Sequence, residues 1–198
     1  MRQTQHRQKI MYIVTMGLLS AILLIGQLGM AFLPNIEPVS FLIIAYTLVY
    51  KKRVFPIIYA FVILEGLIFG FGIWWVSYLY IWSILALLVL LLQKTDSAIL
   101  WAVIAGAYGL AFGALCSIPY LISGGPGAAL TYWATGIPYD ILHCAGNFVI
   151  TLVLYHPVLH VLKKLHASQL EKLPVRNPRQ TWKQSNRKTK NNLRETQR

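Results

Sequence analysis

Acidic residues are scarce in this chain: six among 198 residues, against eighteen lysines and arginines. Charged residues of both signs make up only 12% of the total, about half the share of a soluble globular domain. Lysine and arginine are missing altogether from three long stretches, 10–50, 54–93 and 95–162. Cysteine is reduced to Cys116 and Cys144, each in apolar surroundings and with no CxxC spacing. That excludes a disulfide framework and a Cys/His metal site, and leaves two core thiols. HExxH, P-loop, GxSxG and paired-aspartate motifs are all missing, so no hydrolase or nucleotidase chemistry is expected, and no cofactor or metal. The protein is expected not to be an enzyme. Active transport, if the chain takes part in it, must draw energy from ions or from partner subunits.

What is there is apolar length. Hydrophobic residues reach 57%, in six runs at roughly Met11–Leu33, Val39–Tyr50, Val54–Gly72, Tyr78–Leu92, Ser97–Ile118 and Ile137–Leu162. A bilayer core of ~30 Å takes about 20 helical residues. Six passes put every Lys and Arg on one side: Arg2, Arg7 and Lys9, then Lys51 to Arg53, then Lys94, then the eleven from Lys163 to Arg198. The positive-inside rule makes that side the cytoplasm. The expected fold is therefore an all-α membrane protein of six transmembrane helices with both termini cytoplasmic, in the cell membrane. It comprises a cytoplasmic N-terminus (1–10), a transmembrane domain (11–162) and a basic tail (163–198). The first run lacks a small-residue cleavage site and reads as a transmembrane helix, not a signal peptide. The tail, with Pro174, Pro178 and many polar residues, buries too little to fold and is expected to be disordered. Its charge suits anionic lipid heads, not nucleic acid.

Runs two and four are short, which fits helices shielded by their neighbours beside a depression on the outer face. Gly109 and Gly113 in run five, and Gly66 and Gly70 in run three, are spaced for close helix contact. Outer loops are expected before Tyr78, where Trp74 and Trp75 lie, and over Pro119–Gly136, which contains Gly-Gly-Pro-Gly, Tyr132 and Trp133.

Three carboxylates fall outside the basic segments. Glu65 lies within run three, where a charged side chain costs about 2.5–3.5 kcal/mol on insertion scales and should face the bundle interior. A structural hydrogen bond to another helix would also place it there. Asp140 opens run six behind Pro138, where a carboxylate complements a helix dipole. Asn147 is only about 20° from it around the helix, and His143 about 60°, so the three make a polar stripe facing a cavity. Glu37 precedes Pro38 at the mouth of run two, beside Asn35, which suits a turn. The candidate binding set is Asn35, Glu37, Glu65, Trp74, Trp75, Tyr78, Trp133, Asp140, His143 and Asn147. Carboxylates and aromatics without Lys or Arg favour a neutral or cationic heterocycle.

The segments LPNIEPVSFLIIAYTLVY, EGLIFGFGIWWVSYLYIW, FGALCSIPYLISGG and YWATGIPYDILHCAGNFVITLVLYHPV resemble the substrate-binding S component of an energy-coupling factor (ECF) transporter, over residues 10–162. The resemblance implies capture of a vitamin-like micronutrient from outside. It also implies docking, through small residues of the first helix, on a transmembrane coupling subunit driven by two ATPase subunits. Gly17 and Ala21 would be that docking pair, with Gly17 where the family usually has alanine. Two other readings of the residues stand beside it: a self-sufficient ion-coupled transporter, and a structural membrane protein whose aromatics are interface belts.

Overall fold

The computed structural model describes residues 2–33 and 35–171. They are mostly helical, with no strand among the described residues: α1 (Arg2–Gly29), α2 (Val39–Tyr50), α3 (Val54–Phe69), α4 (Ile73–Leu92), α5 (Ala98–Cys116) and α6 (Ile118–Glu171). Helices α1, α4, α5 and α6 contain stretches long and apolar enough to cross a membrane. Helices α2 and α3, at 12 and 16 residues, are about 18 and 24 Å long.

The helix ends follow local chemistry. Helix α2 stops because Lys51 takes a left-handed conformation (φ 54°) and returns its N–H to the Thr47 carbonyl. Lys51–Arg53 form one 3-10 turn before α3 starts, where Pro56 falls in the first turn and needs no N–H donor. Gly70 (φ 85°) ends α3, a conformation that favours glycine. Ser97 caps α5, its hydroxyl accepting from the Leu100 N–H at 3.3 Å, as expected of an N-cap serine.

Helix α2 forms the centre of the bundle. Nine of its twelve residues are buried, Phe41, Ile43, Ile44 and Tyr46 among them. It touches all five other helices. A helix apolar on every side belongs inside a larger assembly. By contrast, α1 exposes Ile13, Val14, Leu18, Ile22 and Ile25, a face suited to lipid chains.

The structure departs from the sequence expectations in three places. The expected outer loop Pro119–Gly136 is helical apart from Gly125 (φ 77°, ψ −178°). That backbone region is essentially restricted to glycine, so one residue reverses the chain. Pro126 then occupies the first helical position, where its missing N–H costs nothing. Helix α5 continues almost unbroken into residues 118–124, with Ser117 N–H bonded to Gly113 O at 2.9 Å and Leu121 N–H to Ser117 O at 3.1 Å. The outgoing and returning arms meet where Tyr120 stacks on Tyr132, centroids 4.2 Å apart. Second, α4 begins at Ile73, so Trp74 and Trp75 lie on its first turn, with Trp75 N–H bonded to Gly72 O at 3.0 Å. A belt of aromatics does not preclude a helix when they recur at four-residue spacing. Third, α6 continues through residues 163–171, where Gln169 Nε2 donates to Thr15 Oγ1 of α1 at 3.0 Å. A partner helix supports this first part of the tail; residues 172–198, where disorder is expected, lie outside the described residues.

Candidate functional site

The four-residue spacing of Trp74, Tyr78 and Trp82 puts three aromatics on one face of α4. Their rings form a file, with Trp74 and Tyr78 centroids 5.2 Å apart and Tyr78 and Trp82 5.3 Å apart, both edge to face. The file crosses to α5 at Phe112, 5.5 Å from Trp82. It ends on α6 at His143, whose ring lies 4.7 Å from that of Phe112. Phe61 of α3 packs against both Tyr78 and Trp82.

Polar groups sit at both ends. Near Tyr78, the Gln27 amide of α1 donates to Glu65 Oε2 at 3.1 Å and reaches the Tyr78 hydroxyl at 3.5 Å. At the far end, His143 Nε2 lies 3.5 Å from Ser40 Oγ and 4.0 Å from Glu37 Oε1. Glu37, in the link between α1 and α2, is 14% exposed. Burial, reinforced by the Glu65 carboxylate, pushes its carboxyl up to about 7. Four buried polar atoms along this assembly have no hydrogen-bond partner: Gln27 Oε1, Glu65 Oε1, Trp82 Nε1 and His143 Nδ1. Each such atom costs about 1–3 kcal/mol, and native structures contain few of them. The four offer acceptors and donors within a wall of aromatic rings, which suits a flat ligand with polar edges.

The other polar residues of α6 are placed differently. Asp140 Oδ1 accepts the Gly113 backbone N–H at 3.0 Å, and Asn147 Nδ2 donates to the Ala105 carbonyl at 3.3 Å. A Cβ on Gly109 would lie 2.8 Å from the His143 carbonyl and 2.9 Å from Asn147 Nδ2, and one on Gly113 would strike the Asp140 carboxylate. The expected stripe of Asp140, His143 and Asn147 therefore divides. Asp140 and Asn147 bind the backbone of α5 instead of facing a cavity, because glycine lets that backbone come close. Asp140 Oδ2, Asn147 Oδ1 and Thr151 Oγ1 are unpartnered along this seam. The helix-dipole reading of Asp140 is also overturned, since Asp140 sits far inside a helix whose last break is Gly125.

Of the remaining candidates, Trp75 turns away from the file. Its Nε1 donates to the Val62 carbonyl at 2.8 Å, its ring meets Phe71 edge to face, and the space it fills is left by Gly66. Trp133 is 41% exposed on α6, outside the file because the helical hairpin carries it to the surface. Asn35 is exposed and serves the turn, with φ 54°. The structure thus brings together Glu37, Glu65, Trp74, Tyr78 and His143, and adds Gln27, Ser40, Trp82 and Phe112. Gln27 had a legible signal, as the one side-chain amide in the first apolar run. Trp82 had another, four residues after Tyr78. Ser40 and Phe112 had none.

Gly17 lies on the exposed face of α1, and a Cβ there would meet nothing within 4 Å; Ala21 is partly exposed. Cys116 and Cys144 are free thiols. Among the described residues no group of three or more His, Cys, Asp or Glu side chains is arranged to hold a metal ion. No family model matches the chain, and neither a curated protein nor a solved structure matches it.

Proposed function

We propose that the chain is the substrate-binding S component of an ECF-type importer, which captures a vitamin-like, neutral or cationic heterocycle at the outer face. In this reading α1 to α6 are six spans, with α2 and α3 shielded by the longer helices. Both termini are cytoplasmic in a cell-membrane protein, and a coupling subunit with two ATPase subunits supplies the energy. The observation that carries it is the file of Trp74, Tyr78, Trp82, Phe112 and His143 with its four unpartnered polar atoms. Glu37 and Glu65 supply negative charge, and the aromatic faces attract a cation. Confinement of all Lys and Arg to the other side of the six-pass map supports the orientation. Gly17 and Ala21, on the open face of α1, would meet the coupling subunit.

The test is to purify the chain alone in detergent and identify co-extracted small molecules by mass spectrometry. One vitamin-like compound at near-unit stoichiometry is expected. An empty protein that also fails to bind a panel of vitamins would overturn the proposal in favour of a structural role.

A second reading has its own support. Glu37, raised to about 7 by burial and Glu65, could exchange a proton as a carrier cycles. Uptake into vesicles driven by a pH gradient, without ATPase partners, would favour a proton-coupled transporter.

A further inference from the structure

At the opposite end of the bundle from the aromatic file lies a cavity of about 580 Å³. Its donors are Lys51, Lys52, Arg53, Gln93 and His166, and Leu90 contributes to its apolar wall. It forms where the end of α2, the 3-10 turn after it, the end of α4 and the late part of α6 converge.

Three observations point to an anion. The three cations are consecutive and crowd a single 3-10 turn between α2 and α3, where they repel one another. A negative group there would relieve that repulsion, and the unpaired N–H groups at the start of α3 favour an anion. No carboxylate with a described side chain lies within 4.0 Å of any of the three; Arg53 instead rests over the Tyr12 ring at 5.7 Å. Lys51 is held in the left-handed region at φ 54°, a conformation uncommon for residues other than glycine and enriched at ligand clamps. Finally, His166 is fixed edge-on against Tyr50, centroids 5.0 Å apart, and its Nδ1 is buried without a partner.

The surroundings point to the source of that anion. Leu91 and Leu165, adjacent in sequence to the lining residues Leu90 and His166, are 80% and 50% exposed, as suits contact with acyl chains. Basic pockets between helices at the headgroup level accept lipid phosphates. We propose that this cavity binds the phosphate of an anionic membrane lipid, with Lys51, Lys52 and Arg53 as counter-charges and Gln93 and His166 as hydrogen-bond donors. This site is independent of the micronutrient site.

The test is native mass spectrometry of the full chain in detergent, titrated with phosphatidylglycerol or phosphatidylcholine. Roughly fivefold in affinity per neutralised charge is expected. Wild type should therefore prefer phosphatidylglycerol by tenfold or more, and the triple variant Lys51→Gln/Lys52→Gln/Arg53→Gln should lose that preference. The control, Lys183→Gln/Arg187→Gln/Lys188→Gln, removes the same charge from the segment beyond residue 171 and should keep it. His166→Phe, which preserves ring packing on Tyr50, should weaken it about threefold. Inorganic phosphate is titrated as a competitor in a separate arm. Displacement of phosphatidylglycerol at low millimolar phosphate would assign the same cavity to a soluble phosphate. Equal losses in the cavity and control variants, or no headgroup preference in wild type, would overturn the proposal.

Discussion

The aromatic file and the α5–α6 seam both bury carboxylate, amide or imidazole groups within apolar helices, yet they treat them in opposite ways. Along the seam the facing helix presents Ala105, Gly109 and Gly113, so its backbone comes within reach. Asp140 takes an N–H and Asn147 a carbonyl. Around the file the neighbours are Phe61, Tyr78, Trp82 and Phe112, whose rings keep the backbones apart. There Gln27 reaches Glu65 and Tyr78, and His143 reaches Ser40 and Glu37, all of them side chains; as along the seam, each polar residue keeps one unpartnered atom. The size of the opposing side chain thus decides whether a buried polar residue bonds to a neighbouring backbone or to other side chains, and the side-chain partners of the file are the ones a ligand can displace.

The largest effect is expected when the seam is given a side chain. Gly113→Ala places a methyl against the Asp140 carboxylate, combining overpacking with loss of a buried hydrogen bond. It should cost roughly 3 kcal/mol, read as a fall in the thermal midpoint in detergent. Asp140→Gly in the same chain should recover part of the loss, because it removes the colliding group. If the double variant is as unstable as the two single losses added together, the two residues do not act as a pair.

Next comes the exchange of roles between Glu65 and Asn147. Glu65→Gln keeps the shape of the side chain but removes its charge, and should lower ligand affinity at least tenfold while changing stability by less than about 1 kcal/mol. Asn147→Ala should do the reverse: ligand affinity within about twofold of wild type, and stability lower by roughly 1–2 kcal/mol from the lost bond to Ala105. Calorimetric titration and thermal unfolding of the same preparations separate the two effects. Comparable affinity losses in both variants would return Asn147 to the binding site.

This exchange also marks how far the sequence could be read. Each of the six apolar runs falls on a helix, because burial and lipid contact both demand continuous hydrophobic segments, but the helical arms on either side of Gly125 lie between the fifth and sixth runs. Glu65 and His143 were legible as expensive polar residues inside such segments. The angular spacing of Asp140, His143 and Asn147 was legible too, but not what lay opposite. The pairing of that face with Gly109 and Gly113 is set by the register of two helices, which no local pattern encodes. The Gly-Gly-Pro-Gly turn misled for a related reason: such a run can serve a long loop or a single reversal at Gly125. Only the packing of Tyr120 on Tyr132 distinguishes them.

A smaller effect concerns the link between the two regions, where Glu37 approaches His143. The Glu37 carboxyl is raised from 4.5 to about 7 in the folded protein, so folding favours its protonated form. Between those two values the folded state holds the proton that the unfolded state has released. Stability should therefore fall as pH rises from 4.5 through about 7, then level off for this group. Glu37→Gln should flatten that part of the thermal midpoint profile between pH 5 and 8. A cationic ligand should bind more tightly to wild type above pH 7, where the carboxylate is charged, and lose that dependence in the variant. A midpoint profile of unchanged slope in the variant would assign the titration to another group.

The smallest effect on the isolated protein is expected at Gly17, which belongs to neither region. A Cβ there meets nothing within 4 Å, unlike Gly109 and Gly113, so this glycine is not needed for internal packing. Gly17→Leu should change the thermal midpoint by no more than an ordinary surface substitution, about 0.5 kcal/mol, and leave ligand affinity unaltered. In a cell that supplies a coupling subunit, the same variant should fail to co-purify with it, since a leucine prevents the close helix approach that a small residue allows. Normal assembly would place the docking surface on another face and leave Gly17 with no role in this bundle. A variant that assembled poorly and was also unstable would mean that α1 packs through this face within the protein itself.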